Sequence, residues 1–510
     1  MLNQRSSGIL LHPTSLPGNY GIGTLGKEAF HFIDFLSKAD QHLWQILPLG
    51  PTGFADSPYQ SFSSAAGNPL LIDPELLVKN GLLESQDLRV AETPEEAPVD
   101  YGTLIPMKLS LLKKAYEQFI KKNNPDQQKG FRNFTNHNGS WLNDYALFMA
   151  LKEHFQWEPW YTWDEPLKMR DPSALNDYRA LLSEAIEFQK FIQYLFFLQW
   201  FAVQDYAHLK KIRIIGDIPL YVAYDSVDVW VNPRFFRLDE SLTPVAVGGV
   251  PPDYFSETGQ LWGNPLYDWD AILDDGCTWW IDRIRNNLKL YDIIRIDHFR
   301  GFAAYWSVPY GDETAVNGEW IACPGKEFFQ CLENSLGDLP LIAEDLGVIT
   351  ADVEELRDSN GFPGMKILQF AFDSAEANDH LPYNFTKNTV VYTGTHDNDT
   401  ILGWVQSASP EDREFLLDYL NSAESSVCWD LIRLAWASVA NTAIVPMQDL
   451  LELGTEARMN LPGTTDNNWR WRASSGSFGD ELAEKLAHIT RLYGRMTTRK
   501  HPGKQEKQQT

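Results

Sequence analysis

A chain of 510 residues, 44% hydrophobic and 22% charged, is long enough for one large barrel with insertions or for two or three smaller domains. Its formal net charge of -26 argues against nucleic acid or an anionic membrane as a partner, because either needs a basic face; a neutral substrate fits better. The four cysteines, Cys277, Cys323, Cys331 and Cys428, form no C-x-x-C pair and have no histidine at metal spacing, so neither a disulfide framework nor a zinc site is indicated. The opening MLNQRSSGILLHPTS lacks the long apolar core of a secretory signal, and a cytoplasmic location is expected.

In chain order, short runs rich in Ile, Val and Leu, each ending in polar residues, recur at 8–11, 43–49, 212–222, 293–299, 339–346, 365–372, 389–395 and 442–447. Helical patterns lie between them: Leu25, Ala29, Phe32, Ile33 and Leu36 share one face, and Trp279, Ile281, Ile284 and Leu288 share another. Eight such strands alternating with helices predict a (β/α)8 TIM barrel over 1–496. An open doubly wound sheet is the second choice, since no G-x-G-x-x-G follows the first strand. Two intervals exceed a simple connection. Residues 51–187, after the second strand, predict a mostly helical insertion that leads into an apolar helix near 188–209. The stretch 191–203 within that helix contains Gln193 and Gln199 and is shorter than the about 20 residues that cross a bilayer. Residues 219–269, rich in Pro, Gly and aromatics, predict a loop subdomain over the barrel mouth, and 497–510, with almost no apolar content, predict a disordered tail.

In a TIM barrel the C-terminal strand ends face the active site. Those ends here carry Asp217 in IIGDIP, Asp297 in RIDHF, Glu344 and Asp345 in LIAEDLG, and His396, Asp397 and Asp399 in YTGTHDND. Converging acids cannot all ionise freely, so at least one should keep its proton near neutrality. Two chemistries use such a cluster. Metal-assisted hydrolysis is suggested by HDND, although paired His ligands are missing elsewhere. Glycosyl transfer needs one carboxylate to attack and one acid to protonate, about 5 to 5.5 Å apart in retaining enzymes. Asp297 suits the nucleophile because Arg295, two residues back in a strand, faces the same side and compensates its charge. Glu344 suits the acid/base. An Arg295–Asp297 pair alone also reads as a structural ion pair, Asp345 as a structural partner, and Asp399 as a cap.

The segments LLHPTSLPG, PTGFADSPYQSFSSAAGNP, GDIPLYVAYDSVDVW, GGVPPDYFSETGQLWGNPLYDW, RIDHFRG, AEDLG, TGTHDND and RMNLPG, in this order, resemble the 4-alpha-glucanotransferases of glycoside hydrolase family 77. These are also called amylomaltases or disproportionating enzymes, and they fall in the alpha-amylase clan. The resemblance implies Asp297 as nucleophile, Glu344 as general acid/base and Asp397 as the carboxylate that holds sugar hydroxyls. It implies further sugar contacts from Ser57, Tyr59, Asp217, Arg295, His298 and His396, and acceptor contacts from Trp262 and Asn468. Phe54 stands where many relatives carry Tyr, and Tyr101 where relatives can place a ring near bound glucan. Tyr254, Phe255, Trp262, Tyr267 and Trp269 can stack on sugar and shield the site from water, or else pack the loop core; Trp262, in the GQLWGNP turn, is the first candidate for an exposed platform. The expected activity moves α-1,4-glucan segments between maltooligosaccharide, starch or glycogen chains through a covalent β-glucosyl-aspartate, without cofactor or metal, in a monomer or weak homodimer. The alternatives are an α-1,4-glucan hydrolase with the same carboxylates and a metal-dependent barrel hydrolase.

Overall fold

The computed structural model describes residues 4–252, 256–373 and 378–496. All eight apolar runs contain a strand. In chain order the strands are β1 (Ser6–Leu10), β2 (Leu43–Gln45), β3 (Arg213–Ile218), β4 (Ala246–Val250), β5 (Gln260–Pro265), β6 (Ile293–Ile296), β7 (Ala304–Pro309), β8 (Glu319–Ala322), β9 (Leu341–Ala343), β10 (Gly364–Ile367), β11 (Thr389–Tyr392) and β12 (Thr442–Pro446). The eight expected strands pair in the order β10-β11-β12-β1-β2-β3-β6-β9, every neighbour parallel. The two ends meet where the Ala343 amide donates to the Pro363 carbonyl at 3.0 Å, one residue before β10. The result is the expected TIM barrel, nearly closed by strand pairing.

Because side chains alternate along a strand, each run serves two cores. Leu43, Ile215, Ile293, Ile342, Val390 and Ile444 pack together inside the barrel. Trp44, Ile214, Ile294, Ala343 and Val391 pack outward, among the helix residues Phe32, Leu36 and Trp200. Gly216 is required by a close approach: a Cβ there would lie 2.1 Å from the Tyr291 ring, whose hydroxyl receives the Leu49 amide. The strand that ends in Asp217 is thus seated directly against that ring.

Between β2 and β3 the chain builds the helices Tyr101–Lys122, Pro125–His154 and Ser183–Leu209, joined by rings such as Phe119 and Phe191, whose centroids are 4.7 Å apart. The last of these contains the apolar stretch 191–203, and no helix among the described residues is long and apolar enough to cross a membrane. Its two glutamines replace backbone partners. Gln193 accepts from the Gly67 amide and donates to the Gly67 carbonyl at 2.8 and 2.9 Å; Gln199 does the same with Asp73 at 2.7 and 3.2 Å. Satisfied in this way, both are tolerated in the core and pin the long segment that follows β2.

The barrel mouth differs from the loop expected over 219–269. β4 and β5 from that segment join β7 and β8 in a four-stranded antiparallel sheet ordered β5-β4-β7-β8. Half of this cover therefore comes from residues 304–322. β8 is largely exposed and β5 alternates with Gly and Pro among its residues, so neither shows the apolar run that marks a buried strand. Tyr254, Phe255 and the tail 497–510 lie outside the described residues.

Candidate active site

Strand register assembles the floor of the cleft. β3, β6 and β9 are neighbours, with Asp217 opposite Arg295 and Arg295 opposite Ile342. The two-residue period then turns Asp297 and Glu344, just past their strands, to the same inner side. The Arg295 guanidinium bridges two carboxylates: Nη1 lies 2.7 Å from Asp217 Oδ2, and Nη2 lies 2.9 Å from Asp297 Oδ1. The Asp217 side chain is fully enclosed, while that of Asp297 keeps 30% of its surface exposed. Tyr59 donates its hydroxyl to Asp217 Oδ2 at 2.9 Å. Burial, with the Asp297 charge adding to it and Arg295 opposing, pushes Asp217 up to about 7.

Glu344 accepts two backbone hydrogen bonds, from His298 to Oε2 at 2.6 Å and from Leu346 to Oε1 at 3.1 Å. His298 has a left-handed backbone, φ 54°, so the chain bends immediately after Asp297. Burial first, then the charge of Asp297, push Glu344 up to about 8, against the opposing effects of Arg295 and the His298 amide. A carboxyl that holds its proton at neutral pH is thus tied through one backbone amide to the residue next to Asp297. The His298 ring stands edge-on to Trp262, centroids 4.7 Å apart at 88°. Burial lowers His298 to about 4, leaving a neutral imidazole, and its Nε2 is buried without a hydrogen-bond partner among the described residues.

The opposite wall is made of loops. Beyond β11, Asp397 Oδ1 accepts from Asn460 Nδ2 at 2.6 Å and lies 3.4 Å from His396 Nε2, with 41% of the side chain exposed. The His396 ring is stacked on Tyr59, centroids 5.2 Å apart at 12°, with Trp469 leaning on both rings at 5.9 Å. Burial holds His396 below its ordinary value, with Asp397 pulling the other way. Ser57 Oγ accepts the Tyr59 amide at 3.2 Å and sets the turn that delivers that ring.

Not every expected contact residue faces the cleft. Asp217 lies beneath Arg295 with no exposed side-chain surface, so as placed it supports the guanidinium and does not reach a sugar. Asn468 spends its amide within its own loop: Oδ1 accepts from the Leu461 amide, and Nδ2 donates to the Thr464 carbonyl and hydroxyl, all at 3.0 Å. Tyr101 is buried, its hydroxyl on the Trp469 carbonyl at 3.0 Å, and offers no open ring. Tyr267 and Trp269 are core aromatics, the first bonded to the Leu220 carbonyl at 2.9 Å and the second packed against Phe302 and Phe328. Trp262 remains partly exposed, and Phe54 is 74% exposed. Asp345 is structural, held by Arg357 at 2.5 Å and the Met365 amide at 2.6 Å. Asp399 accepts from the Thr400 amide and the Thr455 hydroxyl at 2.7 and 2.9 Å, while Thr400 itself caps the helix Ile401–Ser407. Among the described residues no three His, Cys, Asp or Glu side chains converge as a metal-ligand set. Within HDND, Asn398 Oδ1 accepts the Thr395 amide and hydroxyl, both at 2.9 Å, and so shapes the loop. Asn460 and Arg458, the anchors of Asp397, carried no periodicity or charge pairing to mark them; only their place in RMNLPG pointed there.

A family profile described as 4-alpha-glucanotransferase matches residues 11–477. The chain belongs to that family. It is 52% identical to a 4-alpha-glucanotransferase of Synechocystis sp. over 97% of this chain and 99% of the relative. It is 49% identical to a 4-alpha-glucanotransferase of Thermus thermophilus over 94% and 97%. Among solved structures, the amylomaltase from Streptococcus agalactiae in complex with acarbose superposes with a TM-score of 0.94 at 43% identity, covering 97% of this chain and 100% of that one. The chain is thus an enzyme on a TIM barrel shared with an amylomaltase.

Proposed function

We propose that this glucanotransferase moves α-1,4-glucan segments between chains by a retaining, two-step mechanism in which Asp297 is the nucleophile and Glu344 the general acid/base. The observation that carries the reading is the pairing on adjacent strands of an open carboxylate oriented by Arg295 with a carboxyl pushed up to about 8. In the first step Glu344 protonates the departing 4-oxygen while Asp297 attacks the anomeric carbon, giving a β-linked ester. Esterification removes the Asp297 charge, which is the second cause of the raised value at Glu344. The same group then becomes acidic enough to act as base toward an incoming 4-hydroxyl. Two inversions give net retention.

Asp397, His396 and Tyr59 form a wall on which the reacting sugar is held, and Arg295 fixes the attacking oxygen. Trp262, edge-on to His298 at the rim, covers the site and favours a sugar over water as acceptor. The structural relative, an amylomaltase in complex with acarbose, supports a glucan in this cleft. Incubation with maltotriose tests the reading. Transfer gives a ladder of longer oligomers plus glucose at constant reducing ends, whereas glucose and maltose with rising reducing ends would identify a hydrolase with the same carboxylates.

A further inference from the structure

We infer that Asn460 is a positioning residue for the transfer reaction: its amide fixes Asp397 by one oxygen and leaves the other oxygen to the sugar. This rests on the role proposed for Asp397. Three hydrogen bonds tie residues 458–460 to 396–397, and a fourth braces 458–460 internally. The Asn460 amide N–H donates to the His396 carbonyl at 3.1 Å, and Asn460 Nδ2 donates to Asp397 Oδ1 at 2.6 Å. Arg458 Nη2 donates to the Asp397 carbonyl at 2.7 Å, and its Nε donates to the Asn460 carbonyl at 2.8 Å. The loop beyond is closed on itself by Asn468, and the Trp469 amide returns to the Met459 carbonyl at 2.8 Å. Asn460 is therefore the far end of a braced loop, and its side chain is what that loop extends to the carboxylate.

The residue type matters as much as the distance. Asp397 stands beyond its strand, where no ladder holds it, and with 41% of its side chain exposed it would rotate between staggered conformers if unrestrained. A cation at position 460 would orient it but neutralise the charge that an oxocarbenium-like sugar needs. A second carboxylate would repel it. The amide N–H donates without adding charge, so orientation and full charge are kept together. Arg458 is spent on backbone carbonyls; the other titratable or charged groups around this wall are His396 and Tyr59, both within electrostatic reach of Asp397, and Arg295 and Asp297, which act on those two rings.

The test compares N460A, N460D and D397N with wild type by maltotriose disproportionation between about pH 5.5 and 8.5. N460A should lose about ten- to a hundredfold in kcat/KM, the range of one hydrogen bond to a charged group, at near wild-type thermal stability. N460D should hold most activity at the acid end, where the two carboxyls share a proton and one still donates. It should lose activity as pH rises and both ionise at contact. Glu344 and Asp217 titrate in both enzymes, so the N460D to wild-type ratio isolates the pair. A ratio flat in pH, or N460A within about twofold of wild type, overturns the inference; should N460A fail to fold, the N460D ratio decides alone. An inactive D397N beside a wild-type-like N460A sinks the positioning role only, whereas a fully active D397N sinks the reading of Asp397 as well.

Discussion

Asp217, Arg295 and Glu344 are brought together by strand register alone, since β3, β6 and β9 are neighbours in a nearly closed sheet and a one-residue slip would turn all of them outward. Asp397 and His396 lie past the end of β11 and depend on Tyr59 from one loop and on Asn460 and Arg458 from another. The floor is thus set by backbone pairing and the wall by side-chain hydrogen bonds. On the mechanism proposed above, the floor holds the groups that make and break bonds and the wall those that fix the sugar. A substitution in the floor should change chemistry while leaving the fold intact, and one in the wall should change affinity and orientation by smaller factors.

Asp297→Asn breaks the floor most completely. Loss of the attacking oxygen should cost at least about four orders of magnitude in kcat/KM on maltotriose, with unchanged circular dichroism. Glu344→Gln should cost about two to four orders on glucans and far less on a glucosyl fluoride, whose leaving group needs no proton. Equal loss on both donors would remove Glu344 from the acid role. Arg295→Lys keeps the charge but cannot bridge Asp217 and Asp297 as a fork, and about a ten- to hundredfold fall in kcat is expected from steady-state rates. In the wild type, kcat/KM should fall as pH rises through about 8, because the free enzyme needs Glu344 protonated; by one unit above that value the loss is about tenfold. Tyr59→Phe retains the stack on His396 and removes one hydrogen bond from Asp217, and a change of a few-fold, mostly in KM, would place it in the wall. A hundredfold loss in kcat would instead move it to the floor.

The same division explains what the sequence revealed. β6 announces itself because Ile293 and Ile294 are buried on two faces, and the acid that ends it is conspicuous for following an apolar run. LIAEDLG is legible for the same reason. The closure between Ala343 and Pro363, the sharing of the mouth sheet between 246–265 and 304–322, and the bond from Asn460 to Asp397 join segments far apart in the chain, and nothing local encodes them. Aromatic residues divide by burial, which turn-rich sequence does not set. Tyr101, Tyr267 and Trp269 lie in segments rich in turn residues, yet all three are buried, while Trp262 between exposed neighbours stays at the rim. Asp217 is the instructive intermediate: its strand end was readable, but only the register shows it enclosed beneath Arg295.

The central claim is that Asp297 carries the sugar between donor and acceptor, and intact-mass spectrometry of Glu344→Gln after brief exposure to an α-glucosyl fluoride tests it most directly. One glucosyl unit should add to the protein and map to the peptide containing Asp297, and the double variant with Asp297→Asn should gain nothing. An adduct on another residue, or one that persists in the double variant, would contradict the account.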